Sequence, residues 1–461
     1  MKLRPSPDTQ APFSFFLRSV ASRFRLVALI GLALASGAPR SIAQWTEFRG
    51  PNGSGHGVTR DLPLQTWTEA NFAWRTLIPG RGWSSPVMAE GQVWLTSAVE
   101  VAADPQVAEQ RLQALPPGTS DGLEVKASVT LLAVCVDLDR GELLHSIELF
   151  RIDEPPLIHA LNSFASPTPV IDGAFVYCHF GTMGTACLER ATGRVVWTNQ
   201  ELKLDHETGP GSSPIVFENL VIVHCDGIDV QFIVALDKAT GREVWRQERS
   251  GSMDPQGMMR KSFSTPTPMA APAGPLLLSP AANWLYAYDP ATGKELWKLS
   301  YDKLGFSTVP RPVHANGILY ICTGFMQSTL IAIRCGGDGP RSDAGKVLWR
   351  YDAQVPTMPT PIVVDGLLFM VSDRGVATCL DAQTGERRWV QRLGAEYSAS
   401  PIFADGHLYF ADRTGKVFVV APEPTYRLVA THQLPAPLMA TPAAGDHFLI
   451  FRAGDSLIRV Q

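Results

Sequence analysis

The chain of 461 residues carries a formal net charge of −4, with 45% hydrophobic and 18% charged residues and a pI near 6.2. That balance offers no basic field for nucleic acid or an anionic membrane surface, and 39 Gly with 36 Pro favour short strands and turns over long helices. Seven cysteines form neither CxxC nor CxxCH, which excludes a zinc ribbon and covalent haem.

In chain order, Lys2, Arg4, Arg18, Arg23 and Arg25 precede an apolar run at 26–35, and Ser41 and Ala43 supply the small residues that a signal peptidase reads. Residues 1–43 are therefore expected to be a cleaved signal peptide that delivers a periplasmic or secreted protein. The run is shorter than the roughly 20 residues of a spanning helix, and no transmembrane segment is expected. Residues 44–71, opening WTEFRGPNGSGHG, read as an extended lead-in rich in turn formers. FAWRTL, at Phe72–Leu77, reads as the last strand of a repeat whose beginning is missing.

From there two phrases alternate. The first is a Ser/Thr-Pro opening followed by an apolar strand, a turn and a second strand, starting at Ser85, Ser166, Ser213, Thr265, Val309, Thr360, Ser400 and Thr441. Asp172-Gly173, Asn316-Gly317, Asp365-Gly366 and Asp405-Gly406 supply the turns. The second phrase is a hairpin written YAYDPATGKELW at 286–297, with copies at 188–197, 236–245 and 380–389. In it Asp accepts from turn amides and Gly takes the positive φ. Together they give units of four short strands, A to D, at blade spacing.

The last unit holds three strands, and Phe72–Leu77 supplies its fourth. The expected fold is thus an all-β, eight-bladed β-propeller over residues 72–461, closed by pairing the N-terminal strand with the C-terminal blade. An insertion at 98–127 in blade one carries a short helix at 104–115, with Asp104 as N-cap and Pro105 at the first turn. Cys178 and Cys187 flank GTMG symmetrically, which leaves a cross-strand disulfide open in an exported chain.

Blades sort their loops by face. The A–B and C–D turns repeat with little variation, whereas the D–A and B–C loops carry unrepeated polar residues on a rigid frame, where binding concentrates. The candidate site residues there are His159, Asn162, His179, His206, Glu207, Asp226, Asp229, Gln231, Arg311, Asp373 and Arg374. Arg311 reads as reaching into the funnel or pairing with Asp226 or Asp373. No HxxxH or DxDxDG spacing assigns a metal, and no Ser, His and Asp triad can be assembled.

The ATG[KR]xxW turns resemble the repeat of the PQQ-like (pyrroloquinoline-quinone) β-propellers. The resemblance implies eight blades whose tryptophans, here Trp197, Trp245, Trp297, Trp349 and Trp389, dock on the neighbouring blade, with blades one, seven and eight lacking one. The family includes quinoprotein dehydrogenases, which bind PQQ with calcium, and propellers that resemble the outer-membrane protein assembly lipoprotein and bind proteins. The adjacent cysteines and matched calcium ligands of the dehydrogenases are missing here, as is a lipobox cysteine. The expected function is a non-enzymatic, monomeric scaffold that takes a protein partner of the cell envelope, or a ligand, on the D–A and B–C face and needs no cofactor. The alternative is a PQQ/calcium oxidoreductase or a metal-assisted enzyme with its site in the central funnel.

Overall fold

A computed structural model describes residues 44–64, 67–116, 118–302, 305–335 and 346–461; the signal peptide expected at 1–43 lies outside them. Eight antiparallel four-stranded sheets are found among the described residues. Blade one comprises Val87–Ala89, Gln92–Ala102, Lys126–Asp137 and Leu143–Asp153, and blades two to seven follow in chain order. Blade eight joins Ala443–Gly445, Phe448–Ala453 and Ser456–Val460 to Phe72–Leu77. Phe72 pairs with Val460 and Leu77 with Ser456, so the two ends of the propeller share one sheet and no open edge faces the gap.

The hairpin chemistry explains how the blades lean on one another. Asp237 Oδ1 accepts from the amides of Ala239 and Thr240, and Gly241 closes the turn at φ +70 with the Trp197 ring 2.4 Å from where a Cβ would stand. The Trp197 indole N–H donates to Lys238 O at 3.0 Å. Trp245, Trp349 and Trp389 donate in the same way to Pro290, Gln383 and Glu423. The docking expected of Trp297 is not described, because residues 336–345, between the third and fourth strands of blade five, lie outside the described residues.

Blade eight corrects the expectation that it lacks a tryptophan. Trp74, on its N-terminal strand, donates to Leu138 O at 2.9 Å and covers Gly141 of blade one. In blade one the register puts His145 at the tryptophan position, opposite Cys135, and in blade seven it puts Ala430 there, opposite Val419. Blade seven has no C–D hairpin turn to cover, because the third and fourth strands of blade eight, Ser456–Val460 and Phe72–Leu77, are not consecutive in the chain. Trp67 fills that seam instead, stacked on His432 at 3.7 Å between centroids.

The strand openings are stitched into a ring. The residue two before each first strand is Ser85, Thr168, Ser213, Thr265, Arg311, Thr360, Ser400 or Thr441, so blades two and five start two residues later than the Ser166 and Val309 expected. Each hydroxyl that is bonded takes the backbone N–H of the preceding blade: Ser85 N donates to Thr168 Oγ1, Thr168 N to Ser213 Oγ, and Ser213 N to Thr265 Oγ1. Arg311 N, Thr360 N and Ser400 N continue to Thr360, Ser400 and Thr441. Blade five alone carries a non-hydroxyl residue at this position.

That exception holds the lead-in. Residues 45–57 are folded into a plug across the ring and are not extended. Trp45 bridges Met88 of blade one, Thr46 O accepts from Ile171 N of blade two, and Gly55 and Gly57 exchange bonds with Phe403 of blade seven. Arg311 donates to Phe48 O at 2.7 Å and Glu47 Oε2 at 2.8 Å. Arg49, fully buried, donates to the carbonyls of Thr360, Pro361 and Pro401. Gly53, at φ +63, lies so close to Arg311 that a Cβ would stand 2.2 Å from its guanidinium. The glycines of this stretch permit close packing rather than an open course.

Two further expectations meet the register. Cys187 pairs with Tyr177 and Cys178 with Ala186, so the two thiols point to opposite faces of the sheet and both are free. In the blade-one insertion the helix forms at Pro105–Gln113 with Asp104 capping Gln106 and Val107. The insertion is narrower than 98–127, because the flanking strands pair from Gln92 with Asp137 out to Ala102 with Lys126.

Candidate functional site

Strand periodicity places the opening residue and the residue two before it on the same side, and on the D–A face that side is the ring axis. Trp83, Ser166, Gly211, Phe263, Val309, Met358, Ser398 and Met439 therefore form one tier, and the hydroxyl ring lies in the tier beneath. They enclose a funnel of about 530 Å3, into which Phe48 projects from the plug. Leu161, Met258 and Phe325 stand at its wall with 47%, 39% and 53% exposure. Thr119, Asp121 and Leu123 of the insertion complete it, and Leu123–Glu124 pairs with Ile158–His159 of the neighbouring loop.

Three of the expected residues line this funnel. Asn162 Nδ2 donates to Thr208 O and Pro210 O while its Oδ1 accepts from Ser166 Oγ at 2.6 Å, which locks two D–A loops together. His159 Nδ1 accepts from Leu161 N, and partial burial followed by the charge of Lys261 lowers its pKa. Glu207 sits at φ +60 inside a three-residue turn closed by Thr208 N to His206 O at 2.6 Å, a rare, strained conformation. Its carboxylate pairs with Lys261, whose ammonium burial lowers to about 8.

The other residues stand elsewhere. His179 and His206 are buried below the loops; burial, then the charge of His206, takes His179 to about 3, and burial takes His206 to about 4. Asp229 accepts from Asp205 N at 2.8 Å and borders a side cleft of about 540 Å3 under the insertion, which shares Glu207 with the funnel. Gln231 donates to Gly227 O.

Asp226, expected on the binding face, is 1% exposed and holds Arg249 through two bonds of 3.0 Å. Burial would raise Asp226, but Arg249 and His224 outweigh it and keep the carboxyl below its usual range. Arg311 pairs with neither Asp226 nor Asp373 but with Glu47. Asp373 accepts from the amides of Thr357 and Met358 and so positions a wall residue, while Arg374 is exposed outside the funnel lining. The apolar wall and Phe48 escaped the polar-residue reading. The wall's signal was the residue two places before each X-Pro opening, and Phe48 had none.

Residues 132–266, 229–341 and 339–424 match the family described as outer membrane protein assembly factor BamB, more than half of the chain. The chain belongs to this family. The BamB-family fold recurs in BamB from Moraxella catarrhalis, at TM-score 0.51 and 14% identity over 80% of this chain and 99% of that one. It recurs also in europium-containing methanol dehydrogenase, at TM-score 0.61 and 11% identity over 89% and 90%. At such identities the likeness is one of fold. A tetrathionate hydrolase of Acidithiobacillus ferrooxidans is 25% identical over 144 residues, 27% of this chain and 28% of the hydrolase. The chain thus spans under a third of that relative's length.

The donor set does not fit PQQ with calcium. Among the described residues no group of three or more His, Cys, Asp or Glu converges on a cation position. Of the carboxylates lining the funnel, Glu207 is taken by Lys261 and Asp121 stands on the insertion. A hard cation wants several clustered oxygens.

Proposed function

We propose that this BamB-family chain is an exported, non-catalytic propeller that binds a partner protein of the cell envelope on its D–A and B–C face, with an apolar part of the partner in the funnel. The observation that carries this is the tier two residues before the openings. Every blade contributes to it, yet it reads Trp, Ser, Gly, Phe, Val, Met, Ser, Met, while the turns of the opposite face repeat. Large unbranched and aromatic side chains around a concave site suit an adaptable apolar contact. No helix of the described residues is long and apolar enough to cross a membrane, and the proposed export places the propeller in the periplasm or outside the cell as a monomer.

A photo-crosslinking residue at Met258, on the funnel wall, and another at Gln383, in a turn of the opposite face, test the reading in a cell-envelope extract. A discrete adduct from position 258 alone is expected. Equal labelling from both, or none from 258, overturns it. The oxidoreductase alternative predicts dye-linked alcohol oxidation after incubation with PQQ and calcium, and the binding reading predicts none.

A further inference from the structure

We infer that Phe48, delivered by the N-terminal plug and not by any blade, is the ligand-contacting floor of the funnel and sets which side chain of a partner the propeller accepts: a large uncharged one. The inference rests on the binding reading above and deepens it.

Phe48 is held with unusual care. Its carbonyl accepts from Arg311 at 2.7 Å, the residue before it pairs with the same guanidinium, and the residue after it is caged by carbonyls of blades six and seven. Arg311 is the one opening residue without a hydroxyl, so the repeat itself is broken to provide the clamp. Yet the Phe48 ring is only half-buried and belongs to no hydrophobic core cluster, whereas Trp45, three residues earlier, packs with blades one and eight. Two buried arginines thus position an aromatic ring that lies outside the core clusters and lines the cavity. A side chain fixed in place outside the core clusters, with part of its surface open to the cavity, is arranged for contact with something that arrives later.

The chemistry of the deep funnel selects the occupant. Phe263, Phe306, Val309, Met358 and Met439 surround the floor above a ring of Ser and Thr hydroxyls. The lysine in the lining is neutralised by Glu207, so an anion would be desolvated there without a free partner, and the remaining carboxylate of the lining, Asp121, is carried by the insertion and not by the blades that form the tier. The cavity of about 530 Å3 has room for an aromatic or long aliphatic side chain together with its flanking backbone.

Gly-Ser-X-Ser-Gly peptides with X as 4-fluorophenylalanine, Leu, Lys or Asp, titrated by ligand-observed NMR against the full mature chain, test this. The fluorophenylalanine peptide is expected to bind at least tenfold more tightly than the Lys and Asp peptides. Phe48→Ala should weaken it at least fivefold, and Phe48→Trp, which shortens the funnel, should reverse the order of fluorophenylalanine and Leu. Both variants should melt within a few degrees of the parent because the ring is outside the core; should the alanine variant fail to fold, Phe48→Trp alone carries the comparison. If the parent prefers the aromatic peptide but the Phe48 variants bind identically, Phe48 is not the floor contact and the binding reading stands. If the parent binds no peptide and gives no adduct from position 258, both are overturned.

Discussion

The outer rim of the propeller and its axis are built on opposite plans. At the rim one contact, an indole resting on the glycine of the next blade's turn, is repeated at Trp74, Trp197, Trp245 and Trp349, and Trp389 keeps the indole bond but meets the Tyr426 ring where the others meet glycine. At the axis a single segment is fixed by Arg49 and Arg311, each used once. Repetition distributes stability over equivalent seams, as nearest-neighbour interfaces do in repeat proteins. A unique lock concentrates it, and its loss has no substitute elsewhere in the ring.

The largest effect should therefore come from the axis. Arg311→Ala strips Glu47 of its partner and leaves buried acceptors without donors, at a cost of about 3–5 kcal/mol. Urea unfolding should show that loss, and trypsin should cut after Arg49, which is fully buried in the parent. Continued protection of Arg49 would show that the plug holds without its clamp. Trp197→Ala should cost about 3–4 kcal/mol, as for a large aromatic removed from a packed seam, with Arg49 still protected. Were the rim variant the one to expose Arg49, the division between rim and axis would fail.

The same contrast explains what could be read in advance. The rim is written in the sequence because one local geometry recurs: Asp to accept, Gly to turn, Trp to cover, at a fixed offset. Closure through Phe72–Leu77 was legible because a missing strand leaves a countable gap. The axis was not legible, since its partners lie 263 residues apart for Arg311 and Phe48 and 352 apart for Arg49 and Pro401, with no local pattern linking them. Polar residues on loops drew attention, yet Asp226 and His179 are polar because buried networks need acceptors, not because they meet a ligand. The openings at Ser166 and Val309 were misplaced for a local reason: consecutive X-Pro pairs offer two registers, and only pairing with the second strand chooses between them.

A third effect belongs to the seam where rim and closure meet. His432 lies under Trp67 and burial lowers it to about 4, in company with His179 and His206. A histidine whose folded pKa is depressed binds its proton first in the unfolded chain. Stability is thus constant above the unfolded value of about 6.5 and falls as the pH drops from there toward 4. His432 alone should account for about 2–3 kcal/mol of that loss. Melting temperature between pH 7 and 4 should decline less steeply in His432→Gln than in the parent. Parallel curves would mean that the imidazole already takes up its proton in the folded seam.

The smallest effect separates the hydroxyl ring from both. Ser213 Oγ accepts the backbone N–H of Thr168 at 2.9 Å, and Ser213→Ala leaves that buried donor without a partner, at about 1–2 kcal/mol. Nothing else in the site depends on it, because the next stitch uses Ser213's own backbone N–H, donated to Thr265 Oγ1. Amide exchange should quicken at Thr168 and not at Ser213, which places the damage in one seam. Ser213→Thr keeps the acceptor and should restore protection at Thr168, whereas exchange that quickened all round the ring would mean that the stitches act as one cooperative girdle, closer to the axis in behaviour than to the rim.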